Sequence, residues 1–364
     1  MIFNLLLIIA ILTLYVFFKT NKYISSEKKE KYFLITTFIL FFILVGFREL
    51  TVGNDTPVYL SFFKSCNILM WDAVTFDSYY EGGYIILNVL INYISNNSRI
   101  FLLIMSLIFN LIIGEFIKEN SKNYLLSILM YVCLLFFYSS MTMMRQFCAL
   151  CIVLHSFKYI KQQKIIPFLL LIIFGSFFHS SVWVALLLYP LFYMKHNIKN
   201  VVFMIMVALL SLIFLEPIID FICNLIGREN YYLDRFGSNN IANILYTATY
   251  GTIYLFCCVI LKNKSINQKN FYLNVILVAT LFNFIAINMN ILARASLYFE
   301  IFSIIVLPNV ITVLKNKDNV KIVFLITLAV LFLYSTTIIV FRPEWNSAFN
   351  YKSCLIHNEG DICE

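Results

Sequence analysis

Charge is what this sequence lacks most. Aspartate, glutamate, lysine and arginine together make up 13% of the 364 residues, whereas 61% are hydrophobic and 17% are aromatic. An ordinary soluble domain is roughly half apolar and a quarter charged, so this composition excludes a soluble globular protein. Long apolar runs recur along the whole chain, and they predict an all-α, polytopic membrane protein.

The usual motifs of nucleotide and metal chemistry are also missing. The sequence has no glycine-rich phosphate loop, no Walker motif and no HExxH motif. Among its nine cysteines, Cys148-x-x-Cys151 lies in an apolar run without partner ligands, and we expect these thiols to fill the core. The sequence therefore predicts no cofactor, no metal and no cytosolic nucleotide as an energy source.

Apolar segments of suitable length predict about twelve transmembrane helices, because a helix needs about 20 apolar residues to cross the hydrocarbon layer. The segments are residues 1–18, 32–47, 100–117, 124–141, 143–160, 163–178, 180–194, 200–217, 244–261, 271–290, 296–314 and 321–341. The first segment lacks the basic region and cleavage site of a secretory signal, and we expect it to be retained. Together they predict one integral-membrane domain over residues 1–341, with larger loops at about 48–99 and 216–243, and a tail over 342–364.

The lysines predict the orientation of these segments. Short, positively charged loops stay on the cytoplasmic side of a membrane, and eighteen of the twenty lysines follow odd-numbered segments. Both termini and both larger loops are therefore predicted to be extracytoplasmic. The run 165–194 lies between two lysine-bearing loops, so it must turn back near residues 175–181, which places His179 at the outer tip. The net charge of +8 is then explained by the lysines of the cytoplasmic loops, and it does not indicate nucleic-acid binding.

The arginines follow the opposite rule. By the same count all seven belong to the outer half: Arg48, Arg99, Arg145, Arg228, Arg235, Arg294 and Arg342. A purely topological signal would treat lysine and arginine alike. A guanidinium keeps its charge and offers a planar fork of donors suited to phosphate and carboxylate, so the outer face is predicted to bind an anion. The alternative for any single arginine is an interfacial anchor or a loop salt bridge.

Two arginines are the strongest candidates for anion binding. Arg145 and Arg294 both lie in strongly apolar surroundings, where a charge costs on the order of 3 kcal/mol and usually serves a function. Arg48 ranks third. Glu300, in the eleventh segment and nearly two turns beyond Arg294, is expected to pair with a cation inside the bundle.

Six short motifs follow one another along nearly the whole chain. They are Arg48-x4-Gly53-x-Asp55-Thr56-x2-Tyr59, Glu81-Gly82-Gly83-Tyr84, Met144-Arg145-Gln146-x2-Ala149, Phe177-Phe178-His179-Ser180-Ser181, Arg294-x3-Tyr298-Phe299 with Leu307-Pro308, and Trp345 with Asn350-Tyr351-Lys352. In this order and spacing the chain resembles the EpsG-type, Wzy-like polysaccharide polymerases. The family commonly has a Pro-Tyr pair where this chain has Asn350-Tyr351.

The resemblance implies a membrane glycosyltransferase of GT-C-like architecture that works without a metal. Such an enzyme joins oligosaccharide repeat units, carried on undecaprenyl diphosphate, at the outer face of the bacterial plasma membrane, and the product is an O-antigen, a capsule or an exopolysaccharide. The expected partners are these lipid-linked oligosaccharides and the lipid bilayer. A flippase and a chain-length regulator of the same pathway are further candidate partners.

The residues and the resemblance together assign candidate roles. A departing diphosphate takes negative charge with it, so fixed guanidinium groups stabilise the transition state, and a base must deprotonate the attacking hydroxyl. The base is left open among Asp55, His179 and Glu81. The candidate catalytic residues are Asp55, His179, Arg145 and Glu81, and the candidate substrate-binding residues are Arg48, Arg294, Arg235, Arg228, Tyr59 and Tyr298.

Two other functions fit parts of the sequence. A flippase for lipid-linked sugars would also use many spans and an arginine-lined cavity, but it should carry polar residues along both halves of that cavity. Another lipid-linked sugar transferase or ligase would share the anion site. A membrane acyltransferase would need an inner cofactor site, and the inner loops are short and carry only lysine.

Overall fold

The computed structural model describes residues 2–66, 80–226, 241–264, 266–289, 292–314, 317–341 and 347–355. Regular secondary structure within these ranges is helical. The first ten α-helices are α1 (Ile2–Thr20), α2 (Ser26–Gly46), α3 (Thr56–Ser65), α4 (Gly82–Ile94), α5 (Ser98–Asn120), α6 (Tyr124–Cys133), α7 (Phe136–Thr142), α8 (Met144–Lys161), α9 (Ile165–Ser176) and α10 (Leu188–Tyr193). Then come α11 (Ile198–Ile226), α12 (Ile241–Leu261), α13 (Lys269–Ala286), α14 (Leu292–Glu300), α15 (Ser303–Ile311) and α16 (Lys317–Phe341).

A helical structure is expected for such an apolar chain, because in lipid every backbone polar group must find its hydrogen-bond partner within the segment. Among the described residues six stretches are long and apolar enough to cross a membrane, or seven if the bent pair α6 and α7 forms one span. The six are Ile2–Thr20, Ser98–Asn120, Ile241–Leu261, Lys269–Ala286, Leu292–Ile311 and Val320–Phe341. The structure is thus that of a multi-pass membrane protein, but the prediction of about twelve spans and of a GT-C-like architecture is not confirmed.

The remaining apolar segments do form helices, but these fall short of a full span for physical reasons. The first six residues of α2 include five charged ones, and α8 carries Arg145, Lys158 and Lys161 within 18 residues. Helix α9 has only 12 residues, well under the length that crosses the hydrocarbon layer.

Two breaks interrupt apolar runs. Helices α6 and α7 meet at a bend of 51° where Leu135 adopts a left-handed conformation, with φ of 69°, although the sequence predicts one segment over 124–141. The second break separates α9 from the 3-10 helix Ser180–Leu187. The ring of Phe168 lies 5.6 Å from that of Tyr189, so this run turns back on itself, which confirms the predicted reversal near His179.

Both predicted loops contain helical structure. The first carries α3 and α4, and in α4 the polar Asn88 is buried whereas Leu90 and Tyr93 are exposed. This helix therefore turns an amide towards the protein and leaves apolar side chains outside. Helix α11 continues through Pro217 to Ile226, into the predicted second loop.

The end of the described chain is bound to the loop after α2. Arg48 and Ser353 form an antiparallel bridge, the Glu49 amide donates to the Lys352 carbonyl at 2.9 Å, and the Cys354 amide donates to Phe47 at 3.0 Å. In addition, the rings of Phe3 and Tyr351 stack at 4.0 Å. The start of α1 and residues 347–355 consequently lie at the same end of the bundle, whereas their extracytoplasmic location remains a prediction.

Four arginines and several lysines lie at opposite ends of the bundle. We call the region of Arg48, Arg99, Arg145 and Arg294 the arginine end, and the region of Lys122, Lys158 and Lys161 the lysine end. Helix α8 is buried along most of its length and joins them, because it begins beside Arg145 and ends at Lys161, about 24 Å further along its axis. At the lysine end, Lys161 donates to Asn120 and the Lys122 amide donates to Asn309. The predicted separation of arginine from lysine is therefore present for these residues, whereas Lys352 lies at the arginine end, 4.0 Å from Glu49.

Gly53 provides a test of how the loop after α2 packs against α7. Its φ is 104°, and a Cβ atom there would lie 2.4 Å from the Met141 carbonyl oxygen and 2.5 Å from the Thr56 hydroxyl. Gly53→Ala should lower the free energy of unfolding by about 1–3 kcal/mol, because strain and close contact act together. Thermal unfolding in detergent measures the effect.

Gly251→Ala is the matched control. Its added Cβ would meet only the Thr280 methyl group, at 3.5 Å, and Gly251 lies within α12, where alanine is favoured over glycine by about 0.5–1 kcal/mol. The close packing of Gly53 against Met141 is contradicted if Gly53→Ala unfolds at or above the temperature at which the wild type unfolds.

Candidate functional site

Three elements meet at the start of α8 and form the candidate site. They are the beginning of α8, which carries Arg145, the beginning of α4, which carries Glu81, and the break between α9 and the 3-10 helix, which carries His179. Helices α3 and α14 contribute further side chains to this site. The site thus lies at the arginine end.

The central contact is an ion pair. A terminal nitrogen of Arg145 (Nη1) lies 2.7 Å from Oε2 of Glu81, and the two side chains are only 10% and 22% exposed. The Arg145 guanidinium carbon lies 4.8 Å from the centre of the Tyr80 ring, a cation–π distance. Carboxylate and ring together hold the guanidinium in one position.

Gly83 allows α4 to bring Glu81 to this position. A Cβ atom on Gly83 would lie 2.7 Å from the Phe177 side chain, so only glycine permits this approach of α4 to the break after α9. The Tyr84 amide donates to the Phe177 carbonyl at 3.1 Å, and the Ser180 amide donates to Oε1 of Glu81 at 3.3 Å. The Glu81-Gly82-Gly83-Tyr84 motif therefore joins α4 to the segment that carries His179.

His179 caps the 3-10 helix. Its Nδ1 atom accepts from the Ser181 amide at 3.3 Å and lies 2.6 Å from the Ser181 hydroxyl, which is 3.1 Å from the Tyr298 hydroxyl. Burial, followed by the positive charges of Arg145 and Arg294, lowers the pKa of His179 from 6.5 to about 4. The imidazole is consequently neutral at physiological pH, and because Nδ1 accepts, its proton sits on Nε2.

Tyr59 and Asp55 approach from α3. The buried Tyr59 hydroxyl is hydrogen-bonded to Arg145, and burial raises its pKa to about 12, so it stays a neutral phenol. Asp55 stands at the N-cap position of α3, one turn before Tyr59, and its charge acts on the same phenol. Asp55 is half-buried and thus remains within reach of solvent and substrate.

A cavity of about 450 Å³ adjoins this cluster. Gln146, next to Arg145 on α8, donates to the backbone carbonyl of Arg294, and Arg294 also lines the cavity. Tyr298, one turn further along α14, is hydrogen-bonded to Gln146 and Ser181. These bonds connect the ion pair, the histidine and the cavity into one site.

The structure brings together seven of the ten predicted site residues: Asp55, Tyr59, Glu81, Arg145, His179, Arg294 and Tyr298. Arg228 and Arg235 lie outside the described residues. Three participants were not among the predicted site residues, namely Tyr80, Gln146 and Ser181. Tyr80 and Gln146 are adjacent to predicted residues, and Ser181 is two positions after His179. Their place inside or next to one of the six motifs is the signal that could have found them.

Arg48 lies apart from this cluster. It is 1% exposed, and its guanidinium donates to the backbone carbonyls of Val45 at 2.5 Å, Val52 at 3.1 Å and Met141 at 3.4 Å. The geometry gives Arg48 a structural role in closing the loop after α2, in place of the direct substrate contact that the sequence predicts.

Glu300 also differs from its prediction. Its Oε1 atom accepts from Asn283 and from Ser296, both at 2.6 Å, so neutral donors take the place of the expected cation. Hydrogen bonds from several neutral groups satisfy a buried carboxylate as a cation would.

Metal-binding side chains do not gather in the described part of the chain: it holds no group of three or more histidine, cysteine, aspartate or glutamate residues that could hold an ion. The metal-free chemistry implied by the resemblance stays a prediction.

These features define an all-helical, multi-pass membrane protein with a cationic site at one end. The model of the EpsG family matches residues 31–353, nearly the whole chain, and the protein belongs to that family. This confirms the resemblance seen in the sequence, and membership indicates a polysaccharide polymerase of glycosyltransferase type. Neither the curated proteins nor the solved structures provide a significant match to the chain.

The lowered pKa of His179 predicts how stability depends on pH. The unfolded chain, whose histidine has a pKa near 6.5, binds a proton more readily than the folded one, so acidification from pH 6.5 towards 4 favours unfolding. His179→Asn keeps a side-chain acceptor for the Ser181 amide but cannot titrate. Its Tm in detergent should fall less between pH 7 and about 4.5 than that of the wild type. An equal fall in both proteins would contradict the assigned pKa.

Proposed function

We propose that this protein polymerises a surface polysaccharide by joining undecaprenyl-diphosphate-linked oligosaccharide repeat units at the outer face of the bacterial plasma membrane. One observation carries the proposal: the positive charges of Arg145 and Arg294 both act on His179 and on Tyr59, so two guanidinium groups lie near the same two side chains. Two neighbouring guanidinium groups suit the binding of a diphosphate.

The reaction then needs little beyond charge and position. A hydroxyl oxygen of the incoming unit bonds to the anomeric carbon of the growing chain, and the bond from that carbon to the lipid diphosphate breaks. The diphosphate leaves with the electron pair, and Arg145 and Arg294 stabilise the charge that develops on it. The hydroxyl proton passes to a base in the site.

Asp55 is the base that the geometry favours. His179 carries its proton on Nε2, because Nδ1 accepts from the Ser181 amide, so it presents a donor to the substrate. Glu81 is bound to Arg145 and to the Ser180 amide and acts as a positioning residue. Asp55, half-buried and one turn from Tyr59, keeps its carboxylate for the attacking hydroxyl.

The distribution of polar groups supports a glycosyltransferase rather than a flippase. A flippase moves its cargo from one end of the bundle to the other, which calls for polar groups along the whole path. The cavity of about 450 Å³ lies at the arginine end, whereas a cavity of only about 20 Å³, lined by Glu115, His155 and Lys158, lies at the lysine end. The larger cavity is of the size that holds a small ligand.

Substitution of Arg145 tests the proposal in cells. Arg145→Ala should abolish long polymer and leave single repeat units on the lipid carrier at the outer leaflet, because the leaving diphosphate loses a guanidinium. Arg145→Lys should retain under about a tenth of the polymer, since an ammonium group cannot bind phosphate in a bidentate way. Extraction of lipid-linked products, with a membrane-impermeant probe for leaflet, measures both.

The matched control is Lys161→Ala, which removes a cation from the other end of the same helix and should leave polymer length unchanged. Accumulation of repeat units on the cytoplasmic leaflet in Arg145→Ala would show a flippase and overturn the polymerase.

A pair of amide substitutions separates the candidate bases. Asp55→Asn should lower the rate of polymer formation in purified membranes by about 10²- to 10⁴-fold, the usual contribution of a general base. His179→Asn, which preserves the cap of the 3-10 helix, should lower it by a smaller factor. If His179→Asn suffers the larger loss, the histidine and not Asp55 takes the proton.

A further inference from the structure

The cavity beside the arginine pair has an unusual lining for a membrane protein. Its polar side chains come from five helices: Ser139, Gln146, Tyr246, Asn283, Arg294 and Glu300. Apolar residues such as Phe136 and Leu297 supply the rest of the wall. Polar groups are costly within a membrane and are retained where they face a polar ligand or water. A lipid tail would favour a wholly apolar wall, whereas a sugar has both hydroxyl groups and apolar C–H faces.

The break between α6 and α7 points to the same cavity. Leu134 and Leu135, at the 51° bend, both lie in its wall. Irregular backbone at membrane depth is tolerated where it is buried in protein or lines a cavity, and broken helices of this kind form substrate sites in other membrane proteins. The bend is therefore a second, independent sign of a ligand site.

Glu300 is a buried acidic residue in the wall of this cavity. It is 7% exposed, and its Oε1 atom is fixed by Asn283 and Ser296 at 2.6 Å each. Arg294 and Glu300 lie six residues apart on α14, about 9 Å along the axis, and both line the cavity. The carboxyl group is also hydrogen-bonded to Tyr250, so its orientation is fixed while the residue still lines the cavity.

We infer that this cavity holds the acceptor sugar, with Glu300 accepting a hydrogen bond from a hydroxyl that does not react. The inference rests on the proposed function and names the part of the substrate that each half of the site takes. The donor diphosphate lies with Arg145 and Arg294, and the acceptor sugar lies between Arg294 and Glu300. Gln146, which contacts Arg294 and lines the cavity, stands at the junction where the new bond forms.

Oligosaccharide released from the lipid carrier by mild acid tests this directly. It has lost its diphosphate, so it can act as an acceptor but not as a donor. Calorimetry should show that it binds the purified wild-type protein, and that Glu300→Gln weakens binding by up to about tenfold, the loss expected for one hydrogen bond. Glu119→Gln, at the lysine end, should bind as the wild type does.

Glutamine keeps a carbonyl oxygen for Asn283 and Ser296, and an unchanged Tm shows that the variant is folded. Equal affinity of the wild type and Glu300→Gln overturns the inference, and so does a wild-type protein that does not bind the oligosaccharide up to its solubility limit. Failure of the proposed function is a different result: the oligosaccharide binds, yet intact lipid-linked units give no polymer.

Discussion

The ion pair between Arg145 and Glu81 is the contact on which the rest of the site depends. It joins the start of α8 to the start of α4 across 2.7 Å in a setting where both side chains are largely buried. Removal of either partner would leave a buried charge without compensation, which costs several kcal/mol. The pair also fixes the neighbours, because Glu81 accepts from the Ser180 amide and Arg145 binds the Tyr59 hydroxyl. The Tyr59 hydroxyl and the segment that carries His179 are thereby held beside Arg145.

The same pair suits the anion binding that we propose for this site. Glu81 and the Tyr80 ring stabilise the Arg145 guanidinium, and under the proposed function the lipid diphosphate would replace the carboxylate as its partner. Arginine suits this exchange better than lysine because its planar fork binds either partner with two donors. The two kinds of cation accordingly serve different purposes, lysine at one end of α8 and arginine at the other.

The sequence predicts the helices and their polarity better than it predicts contacts. Hydropathy locates a helix at each predicted segment, and lysine placement locates the reversal at His179, because both follow from the cost of polar groups in lipid. The bend at Leu135 escapes prediction, since no glycine or proline marks it and packing creates it. Arg145 and Glu81 stand 64 residues apart, so motif order shows that both matter but not that they touch. Arg48 looks like Arg145 in sequence, and only the fold reveals that its donors are used by backbone carbonyls.

Reconstitution tests the central claim most directly. Purified protein in vesicles, supplied on one face with undecaprenyl-diphosphate-linked repeat units and no nucleotide, should produce a ladder of polymer lengths and release one undecaprenyl diphosphate for each new linkage. Repeat units that reach the opposite leaflet unchanged, with no diphosphate released, would contradict the account.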